Sequence, residues 1–212
     1  MASTPPSGMV GRIKAILTDP KSEFARIDAE PMTVSGIMTG WVVPLEAIGP
    51  VAGVIGIMTF MSRGITIGGV TVSAAPSMTY LISNALSQYV LTLIGAFVCS
   101  LIVDALAPNF GGQKDPVKAM KLVAYGSTAA YLAGIFAIVP MLGLLGLLLA
   151  LYSLYLVYVG LPVLMKSSPD KTIVYMLVVF VIYLVIMIVG GYVVSMVTAP
   201  FAPAAPAISF GT

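Results

Sequence analysis

Apolar residues in this chain gather into long blocks divided by short polar connections. Two blocks stand back to back: Val117 to Val139 and Met141 to Met165, with only Pro140 between them. Each is long enough for a membrane-crossing helix, which needs about 20 residues for a hydrocarbon core of roughly 30 Å. Polar turns bound the pair, Ala107–Gln113 before it and Lys166–Lys171 after it. Asp115-Pro116 and Ser168-Pro169 are start signals, a capping side chain followed by a proline at the first helical position. The tight bend predicts an antiparallel helical hairpin. Gly126, Ser127, Ala129, Ala130, Ala133, Gly134, Gly143, Gly146 and Ala150 supply small contact residues, which let backbones approach in lipid.

Three further blocks read as spans, over 34–62, 78–106 and 172–197. The first is interrupted by Pro44, Pro50 and several glycines, and broken backbone at membrane depth must be satisfied by protein or by a watery cavity. Ahead of it, residues 9–33 are amphipathic. Ile13, Ile16 and Leu17 share a face that Arg12 and Lys14 avoid, and Asp19-Pro20 starts a second short helix carrying Phe24 and Ile27. That face suits a membrane surface or the ends of the spans. Between the first two spans, Ile65-Thr-Ile and Val70-Thr-Val flank Gly68-Gly69, the signal of a small β-hairpin or an extended loop. Residues 1–8 read as a flexible tail, 34–198 as the membrane domain and 199–212 as an extended, poorly packed external tail. The predicted class is an all-α integral membrane protein of five spans, with an amphipathic cytosolic segment and a small hairpin in the first external loop.

Composition narrows the function. The chain of 212 residues is 59% hydrophobic and 8% charged, against about 25% charged in soluble domains. A net charge of +2 gives no argument for nucleic acid. There is no histidine, and the single Cys99 reads as a small buried hydrophobe. No nucleophile–base set, phosphate-binding glycine loop or carboxylate cluster stands out, so the expectation is no enzyme, no metal and no cofactor. No apolar core follows early basic residues, so no signal peptide is expected.

Basic residues set the expected orientation. Arg12, Lys14, Lys21 and Arg26 precede the first span, Lys114, Lys118 and Lys121 fall in the second connection, and Lys166 and Lys171 in the fourth. Of the 10 basic residues only Arg63 falls on the other side. The N-terminus is therefore expected in the cytosol and the C-terminus outside.

Leu106-Ala-Pro-Asn-Phe-Gly-Gly-Gln113, Lys121-Leu-Val-Ala-Tyr-Gly-Ser127 and Leu151-Tyr-Ser-Leu-Tyr-Leu-Val-Tyr-Val-Gly-Leu-Pro162 resemble the bacterial branch of the YIP (Ypt/Rab-interacting protein) membrane family. Ile16-Leu-Thr-Asp-Pro20, with Phe24 and Ile27, is similar to that family's N-terminal segment. The resemblance implies five membrane helices, a cytosolic N-terminus and the bacterial inner membrane. In eukaryotic relatives it implies vesicle trafficking and contact with small GTPases. The acidic-leucine-tyrosine-glycine-proline motif of those relatives is missing before the first span, so GTPase binding is not carried over.

Glu46 is the sharpest single residue. A charge at the bilayer centre costs about 2.5–3.5 kcal/mol on insertion scales. It serves either transport of a cation, proton or small solute, or a neutral carboxyl hydrogen-bonded to a neighbouring helix. No basic residue lies deep enough to pair with it. Ser83, Asn84, Ser87 and tyrosines of the fourth span are the expected partners. Asp104 sits nearer an interface, and Tyr152, Tyr155 and Tyr158 recur every three residues, lining a polar path or packing between helices. Arg12, Ile13, Lys14, Ile16, Leu17, Phe24 and Ile27 are the expected membrane-surface or partner contacts.

The first functional expectation is a non-catalytic membrane organiser that binds lipid or other membrane proteins. Deleting residues 9–30 is then expected to leave the spans folded. The alternative is a cation or proton channel or small-solute transporter using Glu46. Gly36-x3-Gly40 and Gly49-x3-Gly53 point to a homo-oligomer or to packing within one chain.

Overall fold

A computed structural model describes residues 8–61, 65–67, 70–73, 76–202 and 207–210. Helices α1 (Gly8–Thr18) and α2 (Pro20–Ala29) come first. Five helices long and apolar enough to cross a membrane follow: α3 (Val34–Phe60), α4 (Met78–Phe110), α5 (Pro116–Ile138), α6 (Gly143–Leu164) and α7 (Pro169–Phe201).

Local chemistry explains the boundaries. Asp19 caps α2 through Ser22 N–H at 3.4 Å, and Asp115 caps α5 through Val117 and Lys118 N–H, both at 3.0 Å. Ser168 precedes α7 as expected but makes no side-chain cap bond. The Thr172 hydroxyl instead donates back to the Ser168 carbonyl at 2.9 Å. Helix α3 is irregular, with wide π-type turns at Met38–Val42 and Ile57–Met61 on either side of its prolines. The Tyr89 hydroxyl donates to the Val43 carbonyl at 2.8 Å, supplying a protein partner inside that broken stretch. Helix α5 shifts register at Ser127 and tightens to a 3-10 helix from Gly134 to Ile138. A Cβ on Gly134 would stand 2.7 Å from Gly49 Cα, so α3 and α5 cross with backbones in contact. Gly49 thus has an intramolecular use.

One end of the bundle carries α1 and α2 together with the α4–α5 and α6–α7 turns. The Asn-Phe-Gly-Gly motif ties those two turns to each other. Gly111 takes the left-handed conformation (φ 73°) that ends the last 3-10 turn of α4, and Gly112 N–H bonds the Ala107 carbonyl at 2.9 Å. Gln113 N–H then reaches the Met165 carbonyl at 2.9 Å, and Ser168 N–H the Phe110 carbonyl at 3.2 Å. Phe110 stacks on Tyr175 with ring centroids 4.6 Å apart.

At the other end, β1 (Ile65–Ile67) pairs antiparallel with β2 (Val70–Ser73), Ile65 opposite Val72. The Gly68-Gly69 turn lies outside the described residues. Strand β3 (Ala207–Phe210) adds to β2, with Val70 opposite Phe210. The C-terminal segment therefore returns to the connection after α3, and for 207–210 this replaces the expectation of an unattached tail.

The N-terminal helices also differ from one expectation. Ile16, Phe24 and Ile27 are each 0% exposed, so they are covered by the bundle and cannot touch a lipid surface. Ile13 and Leu17 pack partly buried against the same core. Gly160 makes room for this docking, since a Cβ there would lie 2.7 Å from Leu122 Cδ1 and 3.1 Å from the Phe24 ring.

Candidate functional site

Two polar assemblies stand out, one beneath α1 and α2 and one inside the spans. In the first, Lys121 of α5 is 2% exposed. Its ammonium donates to the Ile27 and Glu30 carbonyls, both at 2.6 Å, and lies 3.5 Å from the Asp28 carbonyl. These are the acceptors left over where α2 ends, so the lysine closes the C-terminus of another helix and meets the negative end of its dipole. Asp28 takes Lys118 on one oxygen at 2.9 Å and Lys166 on the other at 2.8 Å. Arg12 binds Glu30 with both guanidinium nitrogens, one contact at 2.7 Å, and approaches the buried Glu23 at 3.4 Å. Arg26 also meets Glu23, at 3.3 Å.

Electrostatics follow this geometry. Burial opposes the Arg12 charge, but hydrogen bonds to Glu30 and Tyr125 outweigh it and raise the pKa above its ordinary value. Burial alone would raise the Asp28 pKa, yet the hydrogen bonds from Lys118 and Lys166 lower it. The Arg12 guanidinium sits 5.8 Å over the Tyr125 ring, and Trp41 packs on Tyr125 at 4.8 Å. Trp41 Nε1 donates to the Thr128 hydroxyl at 3.3 Å, and the Tyr152 hydroxyl donates to the Leu17 carbonyl at 3.0 Å. Lys14, Lys21, Lys114, Lys166 and Lys171 are exposed at this end, beside the exposed acids Asp19 and Asp170.

The second assembly is a cavity of about 490 Å³ lined by residues of all five spans. Glu46 is in its wall with Thr92, Tyr131 and Tyr183, and the rest of the lining is mainly aliphatic. Oε2 of Glu46 is enclosed without a hydrogen-bond partner. The Thr92 hydroxyl is already committed as a donor to the Gln88 and Tyr89 carbonyls, at 3.0 and 2.9 Å.

The remaining expected site residues do not join Glu46. Asn84 and Asp104 are not in the cavity wall, although Oδ1 of Asp104 is enclosed without a partner. Tyr152, Tyr155 and Tyr158 are also absent from it. Tyr152 is spent on α1, while Tyr155 and Tyr158 are 44% and 42% exposed. Sequence reasoning missed Tyr131 and Tyr183, which are the tyrosines that do line the cavity, and it read Lys121 only as a basic turn residue. A lysine inside Ala119-Met-Lys-Leu-Val-Ala124, where its neighbours are buried, was the available signal. No group of His, Cys, Asp and Glu able to hold a metal occurs among the described residues.

No curated protein and no solved structure matches the chain. The Yip1 domain model matches residues 14–190, which takes in the cavity, most of the five spans and the first assembly except Arg12. On that match, the chain is a multi-pass membrane protein that belongs to the Yip1 domain family.

Proposed function

We propose that this protein is a non-catalytic membrane organiser, of the bacterial branch of its family, that gathers anionic lipid or acidic membrane-protein partners at its basic end. One observation carries the reading. The acids of α2 and its C-cap are consumed internally, Glu23 and Glu30 by Arg12 and Asp28 by Lys118 and Lys166, so the outward face is left mainly to lysines. Excess positive charge supports a cytosolic position for this end and an external C-terminus, in an inner membrane. Each lysine near an anionic leaflet contributes about 1 kcal/mol, and salt screens the effect.

The test is protein reconstituted in mixed anionic and zwitterionic bilayers, with lipid enrichment read by energy transfer from labelled lipid. Triple Lys14→Gln, Lys21→Gln, Lys114→Gln protein should lose the enrichment, as should wild type in high salt. Equal enrichment in both proteins would remove the basis of the reading. A second reading, passage of a cation, proton or small solute, is favoured by Glu46 standing in a cavity wall. Flux into sealed liposomes that falls in Glu46→Gln would support it, and tight liposomes under every gradient would end it.

A further inference from the structure

The cavity is built asymmetrically. Toward α2 its floor includes Leu122 and Val123, which are 1% and 7% exposed, so that direction is closed. Toward α6 and α7 its lining includes Leu147, Leu151 and Leu184, which are 56%, 49% and 42% exposed. These leucines belong both to the cavity wall and to the surface that hydrocarbon covers. The cavity is thus continuous with the bilayer between α6 and α7, and its volume is in the range of small-molecule sites, roughly 300–1,000 Å³.

We propose that this cavity binds a single-chain amphiphile that enters sideways from the bilayer and donates a hydrogen bond from its head group to Glu46. The aliphatic lining accepts the chain. Glu46 offers one enclosed oxygen, Oε2, with no partner, even with the Thr92 hydroxyl beside the carboxyl. A buried acceptor left open is costly, so a ligand donor is favoured there. No lysine or arginine lines the cavity, so a carboxylate or phosphate head would bring its charge into an aliphatic site beside an acidic residue with no cation to offset it. The matching head is a hydroxyl or an ammonium. The site is remote from the outward lysines, so either assignment can fail without the other.

The experiment uses full-length protein in nanodiscs and three matched saturated-chain probes, an alcohol, an amine and a carboxylic acid, each with a photoreactive group on the chain. The alcohol or the amine should label α6 and α7 saturably and be displaced by the unlabelled compound. Glu46→Leu should weaken that labelling about tenfold, as expected for losing one buried hydrogen bond. Ala150→Leu, which narrows the cavity and leaves Glu46 in place, should weaken it as well. Glu46→Gln separates the heads: retained alcohol labelling identifies a neutral donor, and loss of amine labelling alone identifies an ion pair. Thermal unfolding and gel filtration verify that each variant is folded. Equal labelling by the acid, labelling unchanged in folded Ala150→Leu, or no saturable labelling by any probe would overturn the proposal.

Discussion

Replacing Lys121 by methionine tests whether α2 is fastened through its C-terminal carbonyls. Methionine keeps the length of the buried stem but removes the donor. The Ile27 and Glu30 carbonyls, each 2.6 Å from the ammonium, then lose their partner. A buried acceptor left unsatisfied costs about 1–3 kcal/mol. Methionine also removes the cost of burying an ammonium, which offsets part of this. The net expectation is a loss of about 3 kcal/mol. Helix α2 could recover hydration by lifting away, but that exposes Phe24 and Ile27, both 0% exposed, at about 1.5–3 kcal/mol each. Lifting costs about as much as staying, so α2 should remain docked on average and open more often.

The assay is hydrogen exchange of the α2 amides in detergent or nanodiscs. A 3 kcal/mol loss corresponds to exchange faster by about 150-fold. Lys118→Met is the control, because its partner Asp28 keeps Lys166 and the pair is partly solvated, so only about 0.5 kcal/mol should be lost. Equal exchange in the two variants, or α2 exchange unchanged in Lys121→Met, would refute the capping role.

The Asp28 pKa lies below its ordinary value of 3.8. A carboxyl depressed on folding contributes stability above its unfolded pKa and loses it as pH falls through the folded value, so docking of α1 and α2 should weaken below about pH 4 and Asp28→Asn should flatten that limb of an unfolding-versus-pH curve. Gly160→Leu should displace the Phe24 ring and lower the thermal midpoint, whereas Gly53→Leu, where an added Cβ meets nothing within 4 Å beyond its own helix backbone, should fold normally. Deletion of residues 9–30 should unfold the basic end rather than spare the spans, because it strips the partners of Lys121, and limited proteolysis at the α4–α5 turn would show it. Glu46→Leu should change thermal stability little, because Thr92 keeps the Gln88 and Tyr89 carbonyls as acceptors when its contact with Glu46 is lost; a loss above about 2 kcal/mol would mean a second donor at that carboxyl.

Much of the architecture is legible in the chain because lipid imposes a length and an apolar composition on each span. Asp115 and Pro116 mark the start of α5 by local chemistry alone. What is not legible depends on contacts between distant residues. Lys121 and Glu30 are 91 positions apart, and no periodicity links them. The apolar stripe of Ile16, Phe24 and Ile27 fits a lipid surface as well as a protein one, and only the docked geometry distinguishes them. The tyrosine ladder of α6 left a polar path and helix packing both open, because spacing gives a helix face but not which neighbour that face meets. Tyr131 and Tyr183 line the cavity through the way α5 and α7 pack, and their local sequences carry no matching signal.

The separation of the two polar assemblies constrains how the protein can work. At the basic end, internal pairs hold α1 and α2 against α5 and α6, so that end behaves as one rigid body whose outward charge is fixed. In the cavity, a carboxyl oxygen stands without a partner and the wall opens toward lipid between α6 and α7. A signal can pass from one to the other through α5, where Lys121 holds α2 while Leu122, the next residue, forms the cavity floor, and through α6, which lines the cavity and packs on Phe24 of α2 beside Gly160. A ligand in the cavity bears directly on the helix that carries the α2 cap. Loading the cavity should therefore alter α2 exchange in wild type and alter it less in Lys121→Met, where the cap is gone and only the α6 contact still joins the two.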